Sequence, residues 1–287
     1  MEKFQARADY ATQYSNHMIK LFNDDFLNVN FSRVSPINLI VCSPPFNVGI
    51  LYDKHMDMMT YEKYLLWCEK WLTKAYNILA DDGRICINVP LTISPKHLNQ
   101  SGEDHNNYSI SADYIPICKK IGFKYWRTII WVKMVSNGST IWGSWRSASS
   151  PFMRDSSEAI LVFGKSGWKR MTKGTSTISK LEFMTYTKNT WVMNPETKSK
   201  HPAAFPFELP KRCIQLFSYK TDVVGDIFMG SGTSGDAAVR LGRSFIGVEI
   251  SGDYFSQAKE RISVAELQTS LVQKFIPLDE NEVDNIW

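Results

Sequence analysis

The chain has 287 residues, a formal net charge of +4, 44% hydrophobic residues and 22% charged residues. That is enough length and apolar content for one large α/β domain with an insertion and a sizeable core. No uninterrupted apolar run approaches the roughly 18 residues of a membrane-spanning helix, and Met1-Glu2-Lys3-Phe4-Gln5-Ala6-Arg7 lacks a signal peptide's apolar stretch, so a cytoplasmic protein without membrane contact is expected.

In chain order, the first readable element is Asn38-Leu39-Ile40-Val41-Cys42, short, apolar and β-branched enough for a buried strand. Ser43-Pro44-Pro45-Phe46 comes next. The prolines have no N–H to give a sheet and a fixed φ, so the chain must leave in a stiff turn whose carbonyls point outward, free to accept from a ligand. Ser43 adds a neutral acceptor and Phe46 an aromatic face for a flat, unpaired base. Alone, these four residues equally describe a proline-rich strand exit with a packing phenylalanine. Residues 61–79 then place Leu65, Leu66, Trp67, Trp71, Leu72, Ala75 and Leu79 at helical spacing, which reads as core packing, with Asp81-Asp82-Gly83 as the expected stop. Residues 84–89 read as a strand, 111–121 as a helix, and 126–132 and 159–163 as strands. Residues 93–107 and the Gly/Ser-rich stretches 136–139 and 143–150 are expected to be mobile loops.

Charge is unevenly spread. Residues 124–200 hold thirteen Lys or Arg against four Asp or Glu, a net +9, which leaves −5 for the remainder. Arg146, Arg154, Lys165, Lys169, Arg170, Lys173, Lys180 and Lys188 alternate there with Trp142, Trp145, Trp168 and Trp191. A solvated basic face would look similar, but cations interleaved with aromatics suit a surface that tracks a phosphate backbone, so Arg146, Arg154, Lys169, Arg170 and Lys173 are expected to contact duplex DNA. Five scattered cysteines fit reduced buried thiols, and five histidines without close spacing offer no metal site.

Near the C-terminus, Val223-Val224-Gly225-Asp226-Ile227 reads as a strand, Phe228 to Gly235 as a glycine turn, and Asp236-Ala237-Ala238-Val239-Arg240-Leu241 as a helix stopped by Gly242. Strand, glycine turn and helix N-terminus form a nucleotide cradle. Ser244 to Glu249 is a second strand ending in an acid placed for ribose hydroxyls. Gly230-Ser231-Gly232-Thr233-Ser234-Gly235 also satisfies the dinucleotide fingerprint, which keeps a nicotinamide-dependent oxidoreductase in view. Its late position counts against that reading. After Glu249 only one helix, residues 254–267, and an acidic end at residues 279–282 remain, so the other strands must come from the N-terminal half.

In this order the chain resembles the amino-methylating DNA methyltransferases of β type: Ser43-Pro44-Pro45-Phe46 first, a target-recognition region next, Phe228-Met229-Gly230-Ser231-Gly232 last. Lys200-His201-Pro202-Ala203-Ala204-Phe205-Pro206 and Glu208-Leu209-Pro210 resemble the family's donor-binding segment and the helix after it. Asn23-Asp24-Asp25-Phe26-Leu27 resembles its G-D-x-L element, without the glycine. The resemblance implies an α/β, Rossmann-like S-adenosylmethionine-dependent methyltransferase sheet with permuted motif order and an inserted target-recognition region. It divides the chain into a catalytic half (1–133), a target-recognition region with mobile loops (134–195), a donor-binding half of the same domain (196–270) and an acidic tail (271–287).

It further implies that Ser43, Pro44, Pro45 and Phe46 are catalytic. Asp25, Cys42, Ser43, Pro44, His201, Pro202, Ala203, Phe205, Asp226, Phe228, Gly230, Gly232, Thr233 and Glu249 would line the S-adenosylmethionine site, with S-adenosylhomocysteine as product and no metal. Ser-Pro-Pro-Tyr/Phe is associated in that family with N4 of cytosine, and Asp- or Asn-Pro-Pro-Tyr/Phe mainly with N6 of adenine. Site-specific N4-cytosine methylation of duplex DNA by base flipping is therefore expected. N6-adenine methylation, an RNA or protein acceptor and a silent DNA-binding protein are the alternatives. A cognate restriction endonuclease is the partner the family suggests, and a monomer and a homodimer both stay open.

Overall fold

A computed structural model describes residues 9–14, 17–32, 34–49, 51–52, 55–56, 59–94, 107–134, 143–153, 155–196 and 205–275. The expected loop residues 95–106 and 136–139, together with His201, Pro202, Ala203, Arg154 and residues 279–282, lie outside these. Among the described residues no helix is long and apolar enough to cross a membrane.

Two apolar strands far apart in sequence lie side by side at the centre of the sheet. These are β3 (Ile37–Cys42) and β10 (Val223–Asp226), paired in parallel with Val224 opposite Leu39 and Gly225 opposite Ile40. The Asn38 side chain accepts from Val223 N at 2.9 Å and locks the register. From this pair the chain departs in opposite directions. After β10 comes α5 (Thr233–Arg240), and then β11 (Ser244–Val248) parallel to β10; after β3 comes α1 (Tyr61–Ile78), and then β6 (Leu79–Pro90) on the other side. Crossovers of one hand that move in opposite directions put their helices on opposite faces.

The sheet is completed by β1 (Tyr10–Tyr14) and β2 (His17–Phe22) beyond β11, and by β8 (Ser157–Gly164), β7 (Lys124–Lys133) and β9 (Thr190–Met193) beyond β6. The order is β1-β2-β11-β10-β3-β6-β8-β7-β9, with β4 (Leu51–Tyr52) and β5 (His55–Met56) as a separate pair. One face buries Ile40, Cys42, Ile85 and Ile87 against α1 and α2 (Ile110–Ile121). The other buries Leu39, Val41, Cys86 and Val224 against α5, α4 (Glu208–Phe217) and α6 (Gly252–Phe275), with α3 (Lys180–Tyr186) outside α4. These alternating residues of β3 are the sheet's period of two.

Several boundaries differ from expectation for identifiable reasons. α1 stops at Ile78, ahead of Asp81-Asp82-Gly83, because β6 starts at once and bulges: the register advances two residues on β3, from Ile37 to Leu39, while it advances five on β6, from Leu79 to Arg84. α5 starts at Thr233, three residues early, because Gly232 with φ of 82° supplies the left-handed cap. Within 134–195, the strand expected at 159–163 is present as part of β8. The stretch contributes β8, central between β6 and β7, and the edge strand β9.

The basic segment after β8 corrects a second expectation. β8 runs antiparallel to β6, so its start faces the carboxyl ends of the parallel strands and its end, Gly164, pairs with Arg84 at their amino ends. Seven steps of about 3.3 Å separate these ends by roughly 23 Å. Residues 165–178 therefore strap the amino edge, as their bonds show. Lys165 Nζ donates to Leu79 O at 2.8 Å, Thr175 O accepts from Lys220 N at 2.8 Å, and Thr177 Oγ1 accepts from Arg243 at 2.7 Å. Arg170 is buried between Asp82, at 3.2 Å, and Asp222, at 2.8 Å. It is a structural clamp and not a phosphate contact, and the exposed Lys169 and Lys173 beside it lie at the edge opposite the Ser43 turn.

Burial alone would raise the Asp82 carboxyl, but hydrogen bonds from Thr172 N and Oγ1, the Arg170 charge and Met171 N outweigh it and hold the group at about 2. Its depressed value stabilises the fold above the ordinary carboxylate range, a contribution lost as pH falls toward 2. Asp82→Ala should cost about 3 kcal/mol by removing one of the two aspartates beside the buried Arg170 and the acceptor of Met171 N, Thr172 N and Thr172 Oγ1. Chemical denaturation at neutral pH, repeated at decreasing pH, is expected to show that deficit shrinking in acid.

Candidate active site

Both turns emerge at the carboxyl ends of β3 and β10, where the chain directions diverge. In open α/β sheets that crevice is where ligands bind. On the β3 side, Pro44 is buried while Ser43, Pro45 and Phe46 are half-buried. The turn is held from below: Tyr64 of α1 donates its hydroxyl to Pro45 O at 3.0 Å, and the buried Asn47, at φ of 59°, donates to Met59 O at 2.8 Å and accepts from Met59 N at 2.7 Å. Among the described residues none donates to the Pro44 carbonyl. Ser43 Oγ donates to the Asn88 carbonyl at 3.3 Å, which commits its proton and leaves its lone pairs as acceptors.

Asn88 is buried near the carboxyl end of β6, and its amide donates to Glu158 of β8 at 2.6 Å; Glu158 also pairs with Lys133 of β7 at 2.6 Å. The carboxyl ends of β3 and β6 are thus linked through Ser43 to the neighbouring ends of β8 and β7.

On the β10 side, Asp226 is fully buried; it accepts from Ser234 Oγ at 2.6 Å and Phe228 N at 3.1 Å. Burial pushes its carboxyl up to about 7, with repulsion from Glu249 adding to the rise and the two hydrogen bonds opposing it. Glu249, at the end of β11, accepts from Gly230 N at 2.7 Å and Ser251 N at 2.9 Å, and burial raises it as well. A β-carbon on Gly232 would lie 2.8 Å from the backbone of Ala258, so the turn is pressed onto α6. Thr233, the first residue of α5, accepts from Arg261 of α6. Phe228 sits among Phe26, Trp67 and Trp71, with ring centroids 6.4, 5.7 and 5.2 Å away.

The remaining expected residues that are described fall at the same edge. Asp25 accepts from Leu27 N at 2.9 Å in the turn after β2, and Asn23 donates to Glu249 O at 2.8 Å, so this turn flanks the acid. Lys74 of α1 holds it through Leu27 O and Val29 O at 2.8 and 2.7 Å. Cys42 is completely buried at the end of β3, its thiol raised by burial and then by Asp226. Phe205 is buried ahead of α4, whose far end leads into the amino end of β10.

Arg146 is exposed in the loop between β7 and β8, at the carboxyl edge. Of the described residues expected to contact DNA, it is the one at the same edge as the Ser43 turn. Sequence reading missed Asn47, Tyr64, Asn88, Glu158, Lys133 and Ser234. Asn88 carried a signal, a lone amide inside the apolar run 85–89; the others are ordinary residues until the fold assembles them.

The residues at β10 and β11 fit S-adenosylmethionine. The turn is tight enough to reject a β-carbon, the N-terminus of α5 opens beside it, and Glu249 is a carboxylate whose two backbone bonds leave lone pairs for ribose hydroxyls.

Comparison with known proteins agrees. Residues 37–260 match the DNA methylase family of N6/N4 methyltransferases. A type II methyltransferase, M.MjaVI, of Methanocaldococcus jannaschii is 43% identical over 185 residues, covering 63% of this chain and 89% of that protein. A Thermus thermophilus protein assigned as a DNA modification methylase, solved in complex with S-adenosyl-L-methionine, has a TM-score of 0.68 at 27% identity, over 85% of this chain and 93% of its own. The PvuII DNA methyltransferase, cytosine-N4-specific, shares the fold with a TM-score of 0.66 at 20% identity, over 89% of this chain and 91% of its own.

Because the folded Asp226 carboxyl lies above the ordinary range, its contribution to stability is present in acid and lost as pH rises through 7. The melting temperature of the wild type should fall between pH 4 and pH 7 relative to Asp226→Asn, measured by calorimetry without ligand.

Proposed function

Since the chain belongs to the DNA methylase family of N6/N4 amino methyltransferases, we propose that it methylates the exocyclic N4 amine of cytosine at a specific site in duplex DNA. It is an S-adenosylmethionine-dependent DNA methyltransferase, and bound S-adenosylmethionine supplies a methyl group already activated on a sulfonium. The cytosine reading is carried by Ser43, a neutral acceptor at the head of the turn, in the position where the family's N4-cytosine pattern has serine.

The chain's own part in the reaction is positioning. A base amine is a poor nucleophile because its lone pair is delocalised into the ring. Ser43 Oγ, its proton engaged by Asn88, and the Pro44 carbonyl accept the two amine hydrogens, favour a pyramidal nitrogen and aim its lone pair. Phe46 offers a half-buried ring for the base to stack on. The amine is paired inside a duplex, so the nucleotide must be extruded to reach this turn. Tyr64 and Asn47 hold the turn rigid enough to keep that geometry.

Incubation with labelled S-adenosylmethionine and mixed DNA, RNA and protein acceptors, followed by digestion to nucleosides, should yield labelled N4-methyldeoxycytidine. Label in N6-methyldeoxyadenosine, in RNA or in protein would overturn the reading. Ser43→Ala should lower kcat about 100-fold with little change in donor affinity. Phe46→Ala should instead raise KM for DNA about tenfold, as loss of one base stack does.

A further inference from the structure

A cavity of about 610 Å³ opens at the amino edge of the sheet, between the strap after β8 and the end of α4, across the sheet from the Ser43 turn. Its lining holds four cations, Arg84, Lys169, Arg170 and Lys173, and no acid. Asp82 and Asp222 neutralise Arg170. Among the described residues no carboxylate does the same for Arg84. That residue is 8% exposed, gives one hydrogen bond, from Nη2 to Trp168 O, and keeps its Nε buried without an acceptor. The rings of Trp126 and Phe217 lie 5.2 and 5.9 Å from the guanidinium and attract its charge, but they bring no negative group to it. Burial, and then repulsion from Arg170, draw the guanidinium below its ordinary value. Buried charge is ordinarily paired, because one neutral hydrogen bond does not offset its desolvation. A second idle group shares the wall. Gln215 of α4, 6% exposed, donates Nε2 to Glu182 Oε2 at 3.1 Å, while its Oε1 has no donor.

We infer that this cavity is a second ligand site, one that takes a small phosphate monoester of a hydroxylated, partly apolar molecule, as a mononucleotide is. The phosphate lies against Arg84, with Lys169 and Lys173 at the rim. Both lysines are exposed, and neither pairs with an acid among the described residues. Three cations without a carboxylate call for more than one negative charge, which a phosphate monoester carries at neutral pH and a carboxylate does not. A guanidinium is also the side chain whose planar fork matches phosphate oxygens. Inorganic phosphate would leave the rest of the lining uncovered, since Ile178, Leu216 and the 53% exposed ring of Phe183 are apolar. The idle Gln215 Oε1 calls for a hydroxyl or N–H on the organic part. The size is that of a small-ligand site, for which about 300–1,000 Å³ is usual. A polymer backbone would reach the exposed lysines but not the nearly buried Arg84, which selects a free small molecule over duplex DNA.

Isothermal titration calorimetry of the full chain, saturated with S-adenosylmethionine so that the donor crevice is filled, reads this site alone. Uridine 5′-monophosphate should bind one to one and about tenfold more tightly than inorganic phosphate, as a ring contact adds. Uridine without its phosphate should give no measurable heat. At about a hundredfold its Kd the nucleotide should raise the melting temperature by about 5 °C. Lys169→Ala combined with Lys173→Ala should weaken binding about tenfold and leave the ligand-free melting temperature unchanged, because both side chains are exposed. Arg84→Gln should abolish binding, and the lysine pair carries the test if that variant fails to fold. No binding of uridine 5′-monophosphate, an affinity no greater than that of inorganic phosphate, or an affinity unchanged by the lysine substitutions would overturn the inference.

Discussion

Everything at the site depends on the pairing of β3 with β10. Nearly two hundred residues separate them in sequence, and the few ladder bonds between them, with the Asn38 side chain on Val223 N, bring Ser43 within the same crevice as Phe228. Were either strand to slip by one residue, its buried face would turn to the wrong helix layer, because Leu39 and Val41 pack on α4 and α5 while Ile40 and Cys42 pack on α1. The register that fills two cores is therefore the register that brings the Ser43 turn and the glycine turn to one crevice. Motif order along the chain does not matter to this geometry, which is why the donor cradle can come last.

The two edges of the sheet divide structural clamps from the donor crevice. At the amino edge, two buried charges are satisfied: Arg170 lies between two aspartates, and Arg243, fully buried, gives hydrogen bonds to Ser218 Oγ, Ser218 O, Thr177 Oγ1 and Leu241 O. Burial draws the Arg243 guanidinium down to about 10, yet its four partners come from the strap and from the turns before β10 and β11, so it sews those starts together. At the carboxyl edge the pattern reverses. Asp226 and Glu249 are acids held by backbone N–H groups and a serine hydroxyl, with no cation paired to either among the described residues. Burial consequently raises both, and both sites are left with acceptor capacity for a ligand.

This division also explains how much could be read from residues alone. The central strands, α1, α2 and the glycine turn were legible because apolar period and turn chemistry are local. The hairpin of β1 and β2 was not, since Tyr10-Ala11-Thr12-Gln13-Tyr14 mixes polar and aromatic residues without a sustained alternation. Counting charge over residues 124–200 found the basic stretch but not its edge. One strand direction decides it: β8 runs against β6, so the segment after Gly164 is carried to the amino edge while the loop ahead of Ser157 stays beside the turn. Lys169, Arg170 and Lys173 are carried to the amino edge for that reason, while Arg146 stays in the loop at the carboxyl edge. Clamps such as Asn47 and Tyr64 are invisible to pattern because each acts on a backbone atom brought near only by the fold.

The bond from Ser43 to Asn88 limits what the turn can distinguish. A hydroxyl has one proton, and here it is given to a backbone carbonyl, so Ser43 faces the crevice as an acceptor. An acceptor recognises an amine but cannot supply the donor that a ring nitrogen beside that amine requires. Cytosine and adenine both carry such a nitrogen, so the discrimination between their rings has to come from the shape of the space and from groups next to Ser43. The nearest set is the chain from Asn88 through Glu158 to Lys133, in which the carboxylate takes the amide's N–H and the ammonium together. That chain fixes which way the Asn88 amide faces, and it belongs to the same strands that carry the β7–β8 loop. The Ser43 turn and the neighbouring ends of β6, β7 and β8 are thereby built on one edge.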